Sequence, residues 1–207
     1  MRALDLFCCA GGASEGLRRA GFEVVGVDIE PQPNYPFEFH QADALTYPLD
    51  GFDFIWASPP CQAFTKAKKL QGNAHPDHIP AVRARLEAAG VPYCIENVPG
   101  APLLRPVLLC GSMFGLRVYR HRIFEANFEI PFVMCQHDKA QVKMGRAAKE
   151  GDVIQVVGHF SNVPYARKAM DIDWMNQGEL AQAIPPAFSE FIVKSLNVAT
   201  DGRTKEE

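Results

Sequence analysis

Short apolar runs alternate with glycine-punctuated or helix-period stretches through the first half of the chain, the pattern of β-α-β units around a parallel sheet. Ala3 to Phe7 predicts a first strand, followed by a Gly-rich turn and a helix from about Ala13 to Ala20 stopped by Gly21. Val24 to Asp28 predicts a second strand, Glu38 to Asp43 a third and Phe52 to Ala57 a fourth. A helix near Ile79 to Ala89 precedes a fifth strand at Tyr93 to Glu96. Further strands are expected at Val107 to Cys110, Arg122 to Phe128 and Val153 to Val157, and a closing helix at Pro186 to Leu196. No repeat, low-complexity tract or Pro/Gly/Ser linker divides the chain, so one domain is expected over 1–200, with 201–207 a frayed tail. The fold class this implies is α/β and Rossmann-like, a mostly parallel sheet with helices on both faces.

Composition agrees with one folded unit: 207 residues, 47% hydrophobic and 22% charged, suffice for a continuous core. The amino terminus lacks the features of a signal peptide and no apolar stretch has membrane-spanning length, so a cytoplasmic protein is expected. Six cysteines, at 8, 9, 61, 94, 110 and 135, form no C-x-x-C pair, which argues against a disulfide framework and a zinc site. Cys135 and His137 form a local pair that would need two distant partners to hold a metal, and no metal is expected. The formal net charge of −3 excludes bulk electrostatic attraction to nucleic acid. Two basic runs remain, one with Lys66, Lys68, Lys69, Arg83 and Arg85, the other with Lys139, Lys143, Arg146 and Lys149. Both read as solvated faces unless position gives them a role.

Ligands of an open parallel sheet bind outside the carboxyl ends of its strands, and here those ends are reactive. Strand one ends at Phe7 before Cys8-Cys9-Ala10-Gly11-Gly12, strand two at Asp28, strand three at Asp43, strand four at Ser58-Pro59-Pro60-Cys61 and strand five at Glu96. The glycine turn and the acid after strand two suit a nucleotide-like cofactor, and a nicotinamide dehydrogenase fits those two features equally well. Pro59 and Pro60 fix φ and cannot join a ladder, so Cys61 should project beyond the strand end. A thiol there, its thiolate favoured by nearby positive charge, and a carboxylic acid at Glu96 are what methylation of cytosine carbon 5 requires. That carbon is a poor nucleophile until sulfur adds at carbon 6 while an acid protonates ring nitrogen 3.

At this point the residues resemble the DNA (cytosine-5) methyltransferases, in family order along nearly the whole chain. Asp5-Leu6-Phe7 with Gly11-Gly12 looks like the first cofactor motif and Val27-Asp28-Ile29-Glu30 the ribose and adenine contact. Asp43 in Gln41-Ala42-Asp43-Ala44 is similar to the carboxylate that meets the adenine amine. Pro59-Pro60-Cys61-Gln62 matches the catalytic loop, Glu96-Asn97-Val98 the glutamate motif and Arg120-His121-Arg122 the R-x-R element. Ala183-Ile184-Pro185-Pro186 resembles the final motif that returns to the cofactor. The resemblance implies a Rossmann-like S-adenosylmethionine-dependent methyltransferase. Its cofactor residues would be Phe7, Cys9, Ala10, Gly11, Gly12, Asp28, Ile29, Asp43, Ala44, Pro59, Ala183 and Ile184. Catalysis would fall to Cys61, Glu96, Arg120 and Arg122, and contact with a DNA substrate to Gln62, Lys66, Lys68 and Lys69 on a flipped base. Cys61 separates the chain from the amino-methylating enzymes, which carry an aromatic residue after the prolines and need no thiol.

The departures from the family pattern carry information too. A family glycine reads Cys9, its usual Gly-Asn before the last motif reads Ala181-Gln182, and only 22 positions separate Val98 from Arg120. About sixty residues separate Arg122 from Ile184, too few for a full target-recognition domain. A reduced insert at about 130–170, with His159, Tyr165, Arg167 and Lys168, is the remaining candidate for DNA contact, and a specificity partner is possible. Cys61, Phe64 and Thr65 also fit the Cys-x-Phe-Thr spacing of family members acting on transfer RNA. The same chemistry on RNA, and a catalytically silent cofactor-binding module, are therefore the alternatives. Oligomeric state is not legible.

Overall fold

The computed structural model describes residues 1–64, 75–142, 146 and 148–201. Thr65, Lys66, Lys68, Lys69 and Lys143 lie outside the described residues. Strands β1 (Arg2–Leu6), β2 (Glu23–Asp28), β3 (Glu38–Gln41), β4 (Phe54–Ala57), β5 (Tyr93–Asn97), β6 (Val107–Leu109) and β7 (Arg122–Ala126) form one sheet in the order β3-β2-β1-β4-β5-β7-β6. The pairs among β1 to β5 are parallel, whereas β7 runs antiparallel to both β5 and β6. Strand order reverses at β1, which lies between β2 and β4, and the crevice beyond that point is where a doubly wound sheet binds its ligand.

Every residue of β4 and β5 is buried, which follows from helices covering both faces. Alternation along β4 sends Phe54 and Trp56 to one face and Ile55 and Ala57 to the other. The first face packs against α1 (Gly12–Arg19) and α5 (Pro186–Asp201), through Leu17, Phe188, Ile192 and Val193. The second packs against α2 (Ile79–Ala89), through Ile79, Val82 and Leu86. Burying such side chains contributes about 1.5–3 kcal/mol each. A third cluster, with Val118, Ile154, Val156, Tyr165, Met170 and Leu180, joins α3 (Val163–Met170) and α4 (Gln177–Gln182) to Ala10 in the turn after β1.

Three expectations need correction. Val153 to Val157 is not a strand: among the described residues Val153 and Ile154 make only isolated bridges, to Gln141 and Val118, with no continuous ladder. Helices α3 and α4 had no counterpart in the sequence reading. Both start at asparagine caps whose side chains accept backbone N–H groups, from Tyr165 and Glu179 respectively. The third strand stops at Gln41 because Asp43 folds back, its Oδ1 accepting the Leu45 N–H at 2.8 Å.

Candidate active site

The turn after β1 is tightly wound, with Phe7, Cys9 and Gly11 at φ of 60°, 46° and 84°. Left-handed backbone is costly for residues with a Cβ, and three tethers hold this one. Cys8 N–H donates to Val27 O at 3.1 Å, Cys9 N–H donates to Asp28 Oδ2 at 3.0 Å, and Trp174 Nε1–H donates to Ala10 O at 2.8 Å. The family's glycine at position 9 thus has a conformational basis that Cys9 meets under strain. Gly12 has a different reason to be glycine: a Cβ would come within 2.3 Å of Ile184 O, so its absence lets the chain before α5 close on the turn.

A cavity of about 610 Å³ opens at the ends of β1, β2 and β4, within the range of small-molecule sites. Of the residues expected to hold cofactor, Phe7, Cys9, Ala10, Gly12, Asp28, Ile29, Asp43, Ala44, Pro59, Ala183 and Ile184 line it; Gly11 does not and serves instead as the left-handed cap of α1. Cys61, Glu96, Arg122 and Gln62 line the same space. Sequence reasoning missed other lining groups, among them His78 and Met175, and named Asp5, Glu30 and Ser58 only within motifs. Asp5 is buried, accepts Ser14 Oγ–H at 2.5 Å, and its Oδ1 has no hydrogen-bond partner among the described residues. Burial pushes its carboxyl up to about 7, against the pull of the Ser14 hydroxyl.

Cys61 follows β4 on a short turn in which Phe64 N–H donates to Cys61 O at 2.9 Å. Asn97, buried at the end of β5, donates Nδ2–H to Pro59 O at 2.9 Å and so ties the proline turn to the strand carrying Glu96. Glu96 is buried, and Arg122 Nε stands 3.0 Å from its Oε1. That contact is an ion pair outside hydrogen-bonding geometry, so among the described residues no group donates a hydrogen bond to Oε1. Burial raises the Glu96 carboxyl, while Arg122 and then Arg120 draw it back.

The thiol corrects an expectation. Arg122 does lower the Cys61 pKa, but burial and the Glu96 charge raise it more, so the group sits above the ordinary thiol value rather than below it. Arg120 is a second correction. It does not line the cavity but is buried, with Nη1–H donating to Val156 O at 2.6 Å and Nη2–H to Ala181 O at 2.8 Å, and so braces the segments behind the site. The basic runs also change character. Arg83 pairs with buried Glu125 at 2.6 Å and Arg85 donates to Ala44 O at 2.6 Å, so neither is a free surface cation. In the insert, Tyr165 is buried with its hydroxyl donating to Asp152 O, Arg167 donates to Met175 O and Lys168 pairs with Glu150.

Residues 1–100 match the family model described as C-5 cytosine-specific DNA methylase. No curated protein sequence matches the chain. Among solved structures, a protein assigned as a DNA modification methyltransferase and encoded within an E. coli prophage is similar at 14% identity and a TM-score of 0.70, covering 97% of this chain and 99% of that one. The Entamoeba histolytica methyltransferase EhMeth matches at 11% identity and a TM-score of 0.60, over 94% of this chain and 97% of its own. The S. pombe Dnmt2 methyltransferase matches at 13% and 0.55, over 95% and 98%. At these identities the structural likeness speaks for the fold, while the family match spans the stretch that carries Cys61 and Glu96. No helix among the described residues is long and apolar enough to cross a membrane. Just under half of the chain, residues 1–100, is therefore similar to the C-5 cytosine-specific DNA methylases, and the chain as a whole shares its fold with solved methyltransferases.

Proposed function

We propose that the protein transfers a methyl group from S-adenosylmethionine to carbon 5 of cytosine in DNA, through a transient bond between Cys61 Sγ and carbon 6 of a flipped-out base. The observation that carries this reading is that Cys61, Glu96 and Arg122 share one cavity with the strand-end carboxylates. The donor set fits the cofactor: Asp28, Glu30 and Asp43 line that cavity and favour a cationic ligand bearing ribose hydroxyls and an amine. Phe7, Cys9, Asp28, Asp43, Ala183 and Ile184 would hold it. When bound, it supplies an electrophilic methyl group on a sulfonium for carbon 5.

The chain's own groups do the rest. Moving the Cys61 thiol proton to Glu96 keeps the net charge of the site unchanged and removes the Glu96 repulsion, which after burial is the next cause of the raised thiol. Sγ then bonds to carbon 6 as Glu96 gives its proton to nitrogen 3, and the electron pair of the carbon 5–6 bond shifts to make carbon 5 nucleophilic. Glu96 Oε1, which Arg122 meets as an ion pair without a hydrogen bond, is suited to accept one from the exocyclic amine of the base. After carbon 5 gains its substituent, its proton passes to water in the cavity, Sγ departs as thiolate with the carbon 6 bond's electron pair, nitrogen 3 returns its proton to Glu96, and Glu96 gives that proton back to Sγ. A base inside a duplex stack exposes no face of carbon 6, hence the flipping step.

We read residues 1–200 as one catalytic domain with a reduced recognition insert at about 130–170, so direct base readout is small and a partner protein is a candidate source of specificity. Lys66, Lys68 and Lys69, adjoining the Cys61 loop in sequence, and Gln62, exposed at the cavity, are the proposed phosphate and base contacts. The test is transfer of a tritiated methyl group to duplex DNA and to transfer RNA by the wild type and by Cys61→Ser. Transfer to DNA by the wild type alone, with cofactor binding kept in the variant, is expected. Transfer confined to RNA would replace the substrate, and activity in Cys61→Ser would remove the covalent step.

A further inference from the structure

The pair Cys135 and His137, isolated in sequence, meets two partners in the fold. Cys110 ends the β6 edge, His121 stands immediately before β7 between Arg120 and Arg122, and Cys135 and His137 follow β7 in a segment without regular structure. The two sulfurs and two imidazole nitrogens all lie within 4.8 Å of one another. His137 Nε2 is 3.0 Å from Cys135 Sγ and 3.3 Å from Cys110 Sγ, and His121 Nε2 is 3.5 Å from Cys135 Sγ. A tetrahedral zinc with bonds of about 2.3 Å to sulfur and about 2.0 Å to nitrogen sets its ligands about 3.3–3.8 Å apart. Three ligand pairs, at 3.0, 3.3 and 3.5 Å, are already at about that spacing, and the others lie within 4.8 Å.

Hydrogen bonding alone accounts poorly for this convergence. His137 Nε2 faces two sulfurs and offers one lone pair or one proton, and Cys135 Sγ faces two ring nitrogens. A single cation at the centre satisfies all four, with both thiols deprotonated and the net charge of metal and ligands zero. The surroundings are those of an ordered site. Tyr119 stacks on the His137 ring at 3.9 Å and 15°, fixing its plane, and Ser112 Oγ–H donates to Cys110 Sγ at 3.2 Å. Cys110 is buried, His121 and Cys135 half-buried and His137 exposed, so a metal can reach the cluster from solvent.

We propose that Cys110, His121, Cys135 and His137 bind one structural zinc ion, which staples the segment after β7 to the sheet edge beside the active site. That segment, with Phe132 and Met134 exposed, has no ladder to hold it, and His121 adjoins the arginine that meets Glu96. The metal therefore orders the start of the insert and positions Arg122 without touching substrate. The site is independent of the methylation reading, because it is read by metal content alone.

The experiment measures metal by mass spectrometry in the full chain, purified under reductant and without added metal. About one zinc per chain is expected, falling to about a tenth or less in Cys110→Ser/Cys135→Ser and unchanged in Cys61→Ser. Cobalt(II) titrated into the metal-stripped wild type should give the intense visible bands of a tetrahedral ion with thiolate charge transfer, displaced by one equivalent of zinc. That measurement needs no variant to fold. A reduced wild type that neither carries zinc nor gives the cobalt spectrum overturns the proposal, as does zinc retained at full stoichiometry in the double variant.

Discussion

Asp5 lies at the floor of the cavity with one oxygen bound to Ser14 and the other without a donor among the described residues, and burial holds its proton on to about pH 7. Its folded pKa is above the unfolded value of about 3.8, so its contribution to stability is full below about pH 4 and is lost as pH rises through about 7. The interval corresponds to about 4 kcal/mol at most. Asp5→Asn keeps an acceptor for Ser14 and removes the titration. Urea unfolding at pH 5 and pH 8 should therefore show a larger fall for the wild type than for the variant, by about 2–4 kcal/mol. Equal falls would remove Asp5 as the source. At the same scale the thiol and glutamate were legible as residue types, from the prolines before Cys61 and the strand end at Glu96, but their acidities were not. Charge proximity suggested a thiolate; burial, which no local pattern reports, outweighs it.

The element that shapes the cofactor side is the start of α1, where the chain before α5 crosses close enough to exclude a Cβ at Gly12. Gly12→Ala must push Ile184 outward, a backbone displacement costing about 1–3 kcal/mol. Because Ala183 and Ile184 line the cavity, S-adenosylmethionine affinity should fall about tenfold or more in calorimetric titration, with the thermal midpoint lowered by only a few degrees. Unchanged affinity would show that the closing motif does not face the ligand. Gly12 was legible as a tight turn, but its contact lies 172 positions away at Ile184 and appears only when α1 and α5 pack. The helices α3 and α4 were missed for a related reason. They are short, begin at asparagine caps, and take their stability from the third core cluster rather than from a periodic stretch long enough to read.

Across the whole molecule the net charge is −3, and two of the five cations in the first basic run, Arg83 and Arg85, are committed to internal partners. Affinity for the proposed DNA substrate would therefore rest on few phosphate contacts, and the lysines after Cys61 are the proposed ones. Replacing Lys66, Lys68 and Lys69 together by Ala should lower the slope of log affinity against log salt by about three, with little change in base preference. A slope that does not move would shift the DNA-binding surface elsewhere.

The sequence by itself determined what local rules can encode. Periodicity of apolar residues set the strands that alternate with helices, and the prolines and glycines set the turns at the sheet's carboxyl edge. The order of the motifs placed the candidate chemistry there. Tertiary structure decided whatever depends on residues far apart in the chain: that Arg120 braces backbone instead of lining the cavity, that Asp5 is buried beneath it, and that Cys61 is less acidic than its charged neighbour suggests. It also brought Cys110, His121, Cys135 and His137 into one cluster. Burial and convergence are properties of packed elements, and a linear pattern records which groups exist without recording which of them lose water together.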